Sequence, residues 1–195
     1  AKISSLKGIE YLKCVSTINL SHYSGKMIDL SNNPRIYSID VRGITSSEIM
    51  VISPTVKTVM IEPSYSNKNF TAINLSDCPN AVSVSAYGNE GTPNLTLPKV
   101  KTNLKELSVS DLGMKTLDLN SYTNLQLLYI YKCKLSSLKI NKCTDLRYLY
   151  FWHCGNIKSL DLSSNKKLTG LSVYHSYGLT TNSIKAYKNA KKYTI

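Results

Sequence analysis

A triplet of apolar residues with the spacing Leu-x-x-Leu-x-Ile recurs along the C-terminal two-thirds of this 195-residue chain. It begins at Leu104, Leu125, Leu146 and Leu168, so successive triplets start 21, 21 and 22 residues apart. Self-similarity with a period of about 20 to 50 residues is typical of repeat proteins, in which each repeat buries its apolar edge only by stacking on its neighbours. We therefore expect a solenoid in which residues one period apart in the chain become neighbours in space.

Each repeat also contains a second apolar triplet, such as those over 135–140 and 157–162. Alternation of apolar and polar residues within a triplet is typical of a strand. The first triplet, followed three residues later by Asn or Cys, matches the spacing of a leucine-rich repeat. We therefore predict a β-rich right-handed superhelix, with the first triplets forming parallel strands on its concave face and the second triplets forming short strands or turns on its convex face.

The periodicity predicts one leucine-rich repeat domain over 1–195. The regular repeats cover 28–180, and residues 1–27 fit the pattern poorly, so we interpret them as a degenerate N-terminal coil. Residues 181–195 are the expected C-terminal cap, since an exposed apolar coil end invites stacking with another molecule. Within the cap, polar helix-start residues precede Ile184, Tyr187 and Lys191 at helical spacing, which predicts a short capping helix.

Stacking also predicts two columns of small polar residues near the turns. One column contains Asn33, Cys78, Tyr122, Cys143 and Asn165, and the other contains Cys133, Cys154 and Ser176. An Asn in such a column bonds turn backbone groups of neighbouring coils, and Cys replaces it as a small, weakly polar residue. We therefore interpret four of the five cysteines as buried structural thiols. An odd number excludes a complete disulfide set within the chain.

The alternation predicts which side chains point outward from the concave strands. On the last three repeats these include a group of aromatic residues: Tyr129, Tyr131, Tyr148, Tyr150, Trp152 and Tyr174. Lys132, Arg147, His153 and His175 flank this group. One interpretation is a cross-strand aromatic ladder that only stabilises an exposed sheet. The other is a binding platform, because rigid Tyr and Trp side chains dominate interface energetics. The platform is favoured because the matching positions of earlier strands hold Ser85, Ser108 and Asp40.

The sequence indicates no catalytic or metal chemistry. His153 and His175 lie one repeat apart beside Cys154, but they lack further ligands at fixed spacing and an accompanying carboxylate. A Cys154–His175 nucleophilic pair lacks an orienting third group. We therefore expect no enzyme activity, no metal site and no cofactor.

The net charge is +12, from 24 basic and 12 acidic residues, which favours acidic partners. The basic residues are thinly spread, and the densest group begins at Lys166, which we interpret as a solvated end rather than a nucleic-acid site. No run of about 18 apolar residues is present, so we expect no membrane span.

The half-repeat over 160–173, LDLSSNKKLTGLSV, resembles the roughly 21-residue leucine-rich repeats of Bacteroides-type bacterial surface and secreted proteins, and to a lesser degree BspA-like and internalin-like proteins. The resemblance covers roughly 28–180 and is most specific from Leu104 onward, whereas 42–56 and 86–103 depart from it in length. It implies an exported protein, extracellular or at the cell surface and with lipid anchoring as one option, that binds host proteins, other bacteria or glycans.

Together these observations predict a monomeric, non-enzymatic recognition or adhesion module at the bacterial cell surface, which binds a protein through its aromatic concave face. Two alternatives remain open at this point. The aromatic rings of a glycan-binding surface protein would stack on sugars, and a structural spacer within a larger surface protein would bind nothing there.

Overall fold

A computed structural model describes residues 3–92, 94–186 and 193–194, and this part of the chain is almost entirely short strands and turns. The described residues include two 3-10 segments, Ile9–Tyr11 and Thr181–Ser183. The described residues form no helix with the length and apolarity needed to cross a bilayer. The strands in chain order are β1 (Thr17–Ser21), β2 (Met27–Asp29), β3 (Ser38–Ile44), β4 (Glu48–Ile52), β5 (Thr58–Pro63), β6 (Ala72–Asp77), β7 (Ser83–Thr92), β8 (Asn94–Thr96), β9 (Glu106–Leu112), β10 (Thr116–Asp118), β11 (Leu127–Tyr131), β12 (Ser137–Lys139), β13 (Tyr148–Trp152), β14 (Leu160–Leu162), β15 (Gly170–Tyr174), β16 (Ile184–Ala186) and β17 (Tyr193–Thr194).

The odd-numbered strands form one nine-stranded sheet, in the order in which they occur along the chain. We call it the long sheet. All its pairings are parallel, and residues one period apart lie side by side, as Tyr129 does with Tyr150 and Tyr150 with Ser172. The predicted solenoid of parallel strands is therefore confirmed.

The even-numbered strands form three separate parallel sheets on the other side of each coil, which we call the short sheets. Their orders are β2-β4-β6-β8, β10-β12 and β14-β16. They contain the second apolar triplets, so the prediction of short strands there is confirmed as well. Unlike the long sheet, this side is interrupted between β8 and β10 and again between β12 and β14.

The core lies between the long sheet and the short sheets and extends through the stack of coils. Leu128, Ile130, Leu149 and Phe151 point inward from the long sheet and are 0% exposed. Burying one such side chain contributes about 1.5 to 3 kcal/mol, and each coil contributes several of them. The regular triplet spacing thus corresponds to a continuous apolar column, which explains how the described part of the chain folds with almost no helix.

The predicted C-terminal capping helix is not confirmed. Ile184 begins β16, which pairs in parallel with β14 so that Ile184 lies beside Leu160. The polar residues over 181–183 form a single 3-10 turn. Apolar Ile184 therefore continues the second-triplet column, and pairing with the preceding coil outweighs the local helix-start signal. Tyr187 and Lys191, on which the helix was also predicted, lie outside the described residues.

The first polar column has the role expected of it. The Asn165 side-chain amide donates to the carbonyl oxygens of Ile140 and Cys143, both at 2.9 Å. The Cys143 thiol donates to the carbonyl oxygen of Leu119 at 3.2 Å. These buried bonds join one coil to the previous one at the turn after each short-sheet strand.

The second column contains more members than the sequence reasoning assigned to it. Ser176 Oγ donates to the carbonyl oxygen of Phe151 at 3.1 Å, and the Cys133 and Cys154 thiols are buried beside it. Earlier in the stack, Asn67 Nδ2 donates to the carbonyl oxygen of Ser46 at 2.7 Å, and Asn89 Nδ2 donates to that of Asn67 at 2.8 Å. Asn89 lies three residues after Ala86, as Cys133 does after Ile130, so the regular spacing already marks it. Asn67 lies six residues after Ile61, and this irregular length concealed it in the sequence.

Candidate functional site: an aromatic face on the long sheet

Six aromatic side chains project outward from three neighbouring strands of the long sheet. We call this surface the aromatic face, and its members are Tyr129, Tyr131, Tyr148, Tyr150, Trp152 and Tyr174. They alternate along β11, β13 and β15 with the buried residues of the core. Strand pairing places Tyr129 beside Tyr150, and Tyr131 beside Trp152, which lies beside Tyr174. The structure therefore brings together all six aromatic residues that the sequence singled out.

Trp152 lies at the centre of a continuous set of ring contacts. Its ring centroid is 5.4 Å from that of Tyr129 and 6.1 Å from those of Tyr150 and Tyr174, with steeply inclined ring planes. Edge-to-face pairs at these separations are attractive. The indole Nε1 of Trp152 donates to Ser172 Oγ at 3.0 Å, which fixes the orientation of the indole. The aromatic face is therefore a rigid surface.

The rim of the aromatic face is more exposed than its centre. Tyr148 and Tyr174 are 43% and 53% exposed, whereas Tyr129, Tyr150 and Trp152 are half-buried. Gly170 lies beside Tyr148 in the neighbouring strand, and a Cβ there would approach the Tyr148 ring to 2.7 Å. Glycine at this position thus leaves space for the Tyr148 ring.

Tyr87 on β7 borders the aromatic face, and the sequence reasoning did not include it. Burial raises the pKa of the Tyr129 hydroxyl, and the nearby Tyr131 and Tyr87 hydroxyls add to the rise. Tyr87 lies beside Ser110, which in turn lies beside Tyr131, and Ser110 is only 3% exposed although it faces outward. Tyr87 occupies the same outward position of its strand as Tyr131. Tyr87 lies two residues after Ser85, which the sequence already places on the outer face of this strand, so strand alternation predicts its position too.

One edge of the aromatic face is formed by residues that directly follow the strands. Lys132, His153 and His175 all have left-handed backbone angles, with φ between 49° and 55°. The two imidazole rings stack in parallel with centroids 4.9 Å apart, and the Lys132 ammonium lies 5.2 Å from the centroid of the Tyr131 ring. His175 Nδ1 also shares a hydrogen bond with the Tyr177 hydroxyl. Lys132, His153 and His175, which the sequence places at the flank of the aromatic group, therefore lie along one edge of the aromatic face.

Arg147 lies at the opposite end of the strands, directly before Tyr148. The Arg147 carbonyl oxygen accepts a hydrogen bond from the Thr169 amide, and the Arg147 amide donates to the carbonyl oxygen of Gln126, both at 2.8 Å. The Arg147 side chain is exposed. Neither Arg147 nor Lys132 forms an ion pair with another described residue. Basic groups thus flank the aromatic face at both ends of its strands.

The sequence raised two kinds of chemistry for His153, Cys154 and His175, a metal site and a nucleophilic thiol. In the described part of the chain, no group of three His, Cys, Asp or Glu residues is arranged to hold a metal ion. Cys154 is buried, and that burial raises the pKa of its thiol to about 11. A thiol with so high a pKa is almost wholly protonated, and so weakly nucleophilic, near neutral pH.

Comparison with protein-family models finds no match to this chain, and comparison with curated proteins finds no significant match.

Proposed function

We propose that this chain is a non-enzymatic recognition module that binds a protein partner through the aromatic face. The observation that supports the proposal is the contiguous set of aromatic rings on β11, β13 and β15, centred on Trp152. Aromatic residues held rigidly lose little conformational entropy on binding and bury a large area, so they are frequent hot spots of interfaces. Basic residues at both ends of the strands favour a partner with acidic groups around an apolar patch.

We further propose that the coils are leucine-rich repeats of the Bacteroides type and that the protein acts at the bacterial cell surface. The proposal is supported by the spacing of the triplets over 104–173 and by the parallel pairing of the strands that contain them. Localisation by antibody labelling of intact and permeabilised cells tests it. Labelling of intact cells is expected, and labelling only after permeabilisation would contradict the proposal.

The binding proposal is tested with arrays of purified extracellular proteins and of glycans, probed with the full chain. We expect saturable binding to a protein. Tyr150→Ala and Trp152→Ala should each weaken that binding by about 2 kcal/mol, roughly 30-fold, as expected for a hot-spot residue. Affinities are measured by surface plasmon resonance.

The matched control is Tyr65→Ala. Tyr65 is 84% exposed and follows β5, three strands away from β11 in the long sheet, so its removal should leave affinity unchanged. Binding to glycans but to no protein would mean that the ligand of the aromatic face is a carbohydrate. Unchanged protein binding by a well-folded Tyr150→Ala/Trp152→Ala double variant would refute the role of the aromatic face.

A further inference from the structure

A groove interrupts the short-sheet side of the solenoid between β8 and β10. The two coils stay joined in the long sheet, where β7 pairs with β9, but β8 and β10 belong to different sheets. The groove between them has a volume of about 700 Å³. Its lining includes Leu95, Lys101, Met114, Thr116 and Tyr122.

The groove exposes side chains that are buried in the neighbouring coils. Leu95 lies beside Ile73 in the short sheet, and Ile73 is 1% exposed, whereas Leu95 is only partly buried. Met114 is the first residue of a second triplet, and Phe70 and Leu135 hold the equivalent position in two other coils. Those two are 2% and 0% exposed, and Met114 is again only partly buried. Apolar core is therefore accessible from solvent at this interruption, which favours an apolar occupant.

Two strand edges face the groove. The backbone of Lys115 and Leu119 bonds to β12, because the Ser137 amide donates to the Lys115 carbonyl and the Leu119 amide donates to that of Lys139. Alternate residues of a strand direct their amide and carbonyl groups to opposite edges. Thr116 and Asp118 therefore direct theirs towards β8. Unpaired strand edges are templates for the addition of a strand from another chain.

The charge at the groove is positive. Lys101 Nζ donates to Tyr122 Oη at 2.8 Å and to the carbonyl oxygen of Pro98 at 3.0 Å, and no described carboxylate pairs with it. Lys115 also has no ion-pair partner among the described residues. Asp118, by contrast, is paired with Lys139 at 3.4 Å. The two lysines favour an occupant with an acidic group.

We propose that this groove binds an extended, acidic peptide segment of a partner protein, which adds as a strand between β8 and β10. Its apolar side chains contact Leu95 and Met114, and its carboxylate lies near Lys101 and Lys115. The proposal is independent of the aromatic face, which lies on the long sheet.

The test uses a fluorescently labelled peptide, TAINLSD, titrated against the full chain and followed by anisotropy. This peptide copies 71–77 and therefore β6, which pairs with the other edge of β8, presents two apolar residues to the core and ends in an aspartate. Saturable binding is expected. Methylation of alternate peptide backbone nitrogens should weaken it at least tenfold, because it removes strand hydrogen bonds and keeps every side chain.

Protein variants provide the matched pair. Thr116→Pro removes one amide at the groove and is tolerated by an edge strand, so it should weaken peptide binding at least tenfold while circular dichroism stays unchanged. Thr116→Ala keeps the amide and should bind within twofold of the parent protein. Should Thr116→Pro fail to fold, the methylated peptide still decides the question with the parent protein.

Three results would overturn the proposal. The first is no binding of TAINLSD, and the second is equal binding of the methylated peptide, which would mean apolar contact without strand addition. The third is self-association of the unliganded chain that Thr116→Pro abolishes, which would make the occupant a second copy.

Discussion

Left-handed backbone residues recur at the same place in several coils, directly after the strand or within its last two residues. His22, Asp111, Lys132, His153 and His175 have φ between 49° and 55°, and Gly43 has φ of 66°. This conformation is unfavourable by roughly 1 to 2 kcal/mol for most residues with a Cβ. Its recurrence indicates that the turn out of the long sheet requires it, and that packing of the coils compensates for the strain.

Gly43→Ala tests this requirement. The substitution places a Cβ on a residue with φ of 66° and within 3.0 Å of the His22 ring. We expect a loss of about 1 to 2 kcal/mol in the free energy of unfolding, measured by urea denaturation. The control is Gly155→Ala, where a Cβ meets no atom within 4 Å and φ is not positive. Equal stability of the two variants would contradict the requirement.

The polar columns at the turns connect neighbouring coils by hydrogen bonds. Asn165 is 1% exposed and satisfies two carbonyl oxygens of the preceding coil. Cys143 occupies the equivalent place with a single thiol hydrogen bond. Each coil therefore supplies hydrogen-bond donors to buried carbonyl oxygens of the coil before it, in addition to strand pairing.

Asn165→Ala removes both hydrogen bonds and leaves the carbonyl oxygens of Ile140 and Cys143 without this partner. Each of these oxygens keeps a backbone donor, the Cys143 amide for Ile140 and the Leu146 amide for Cys143, so the loss is that of two hydrogen bonds. At about 0.5 to 1.5 kcal/mol for each bond, we expect a destabilisation of about 1 to 3 kcal/mol. Chemical denaturation of the variant measures it. Asn156→Ala is the matched control, since its exposed amide makes one longer bond of 3.3 Å to Lys134. A loss at Asn156 as large as that at Asn165 would mean that burial of the amide is unimportant.

At the scale of the strands, the sequence predicts both strands and columns from residues such as Leu128 and Leu149. A strict period places equivalent residues of successive coils side by side. The capping helix was mispredicted at Ile184 because helix-start residues are a local signal, while the pairing of β16 with β14 is a contact between coils. Tyr87 was within reach of the same period, because it lies two residues after Ser85 on the outer face of β7 and in register with Ser110.

Across the whole molecule, four buried thiols are distributed along the stack of coils. Burial raises the pKa of Cys78, Cys133 and Cys143 to about 12 and that of Cys154 to about 11, from an ordinary value of 9.0. The folded chain thus holds these protons at pH values at which the unfolded chain releases them. Their contribution to stability is fully present below pH 9 and decreases as the pH rises from 9 through the folded-state pKa values.

The expected outcome is a fall in the free energy of unfolding between pH 9 and pH 11 that approaches about 1.4 kcal/mol per pH unit for each buried thiol. Urea denaturation at a series of pH values, under reducing conditions, measures the slope. Cys143→Ala should make the slope shallower by one such increment, whereas Cys14→Ala should leave it unchanged, because Cys14 is exposed. Identical slopes for the two variants would contradict the burial argument.

The architecture follows from the triplet spacing alone, because apolar edges repeated every 21 or 22 residues can be buried only by stacking coil on coil. The same spacing placed Tyr129, Tyr150 and Trp152 on adjoining strands. The edge-to-face packing around Trp152, the left-handed residues and the groove between β8 and β10 were not accessible in this way. They depend on how far apart neighbouring coils lie and how each turn is accommodated, and those distances arise only when all the coils pack together.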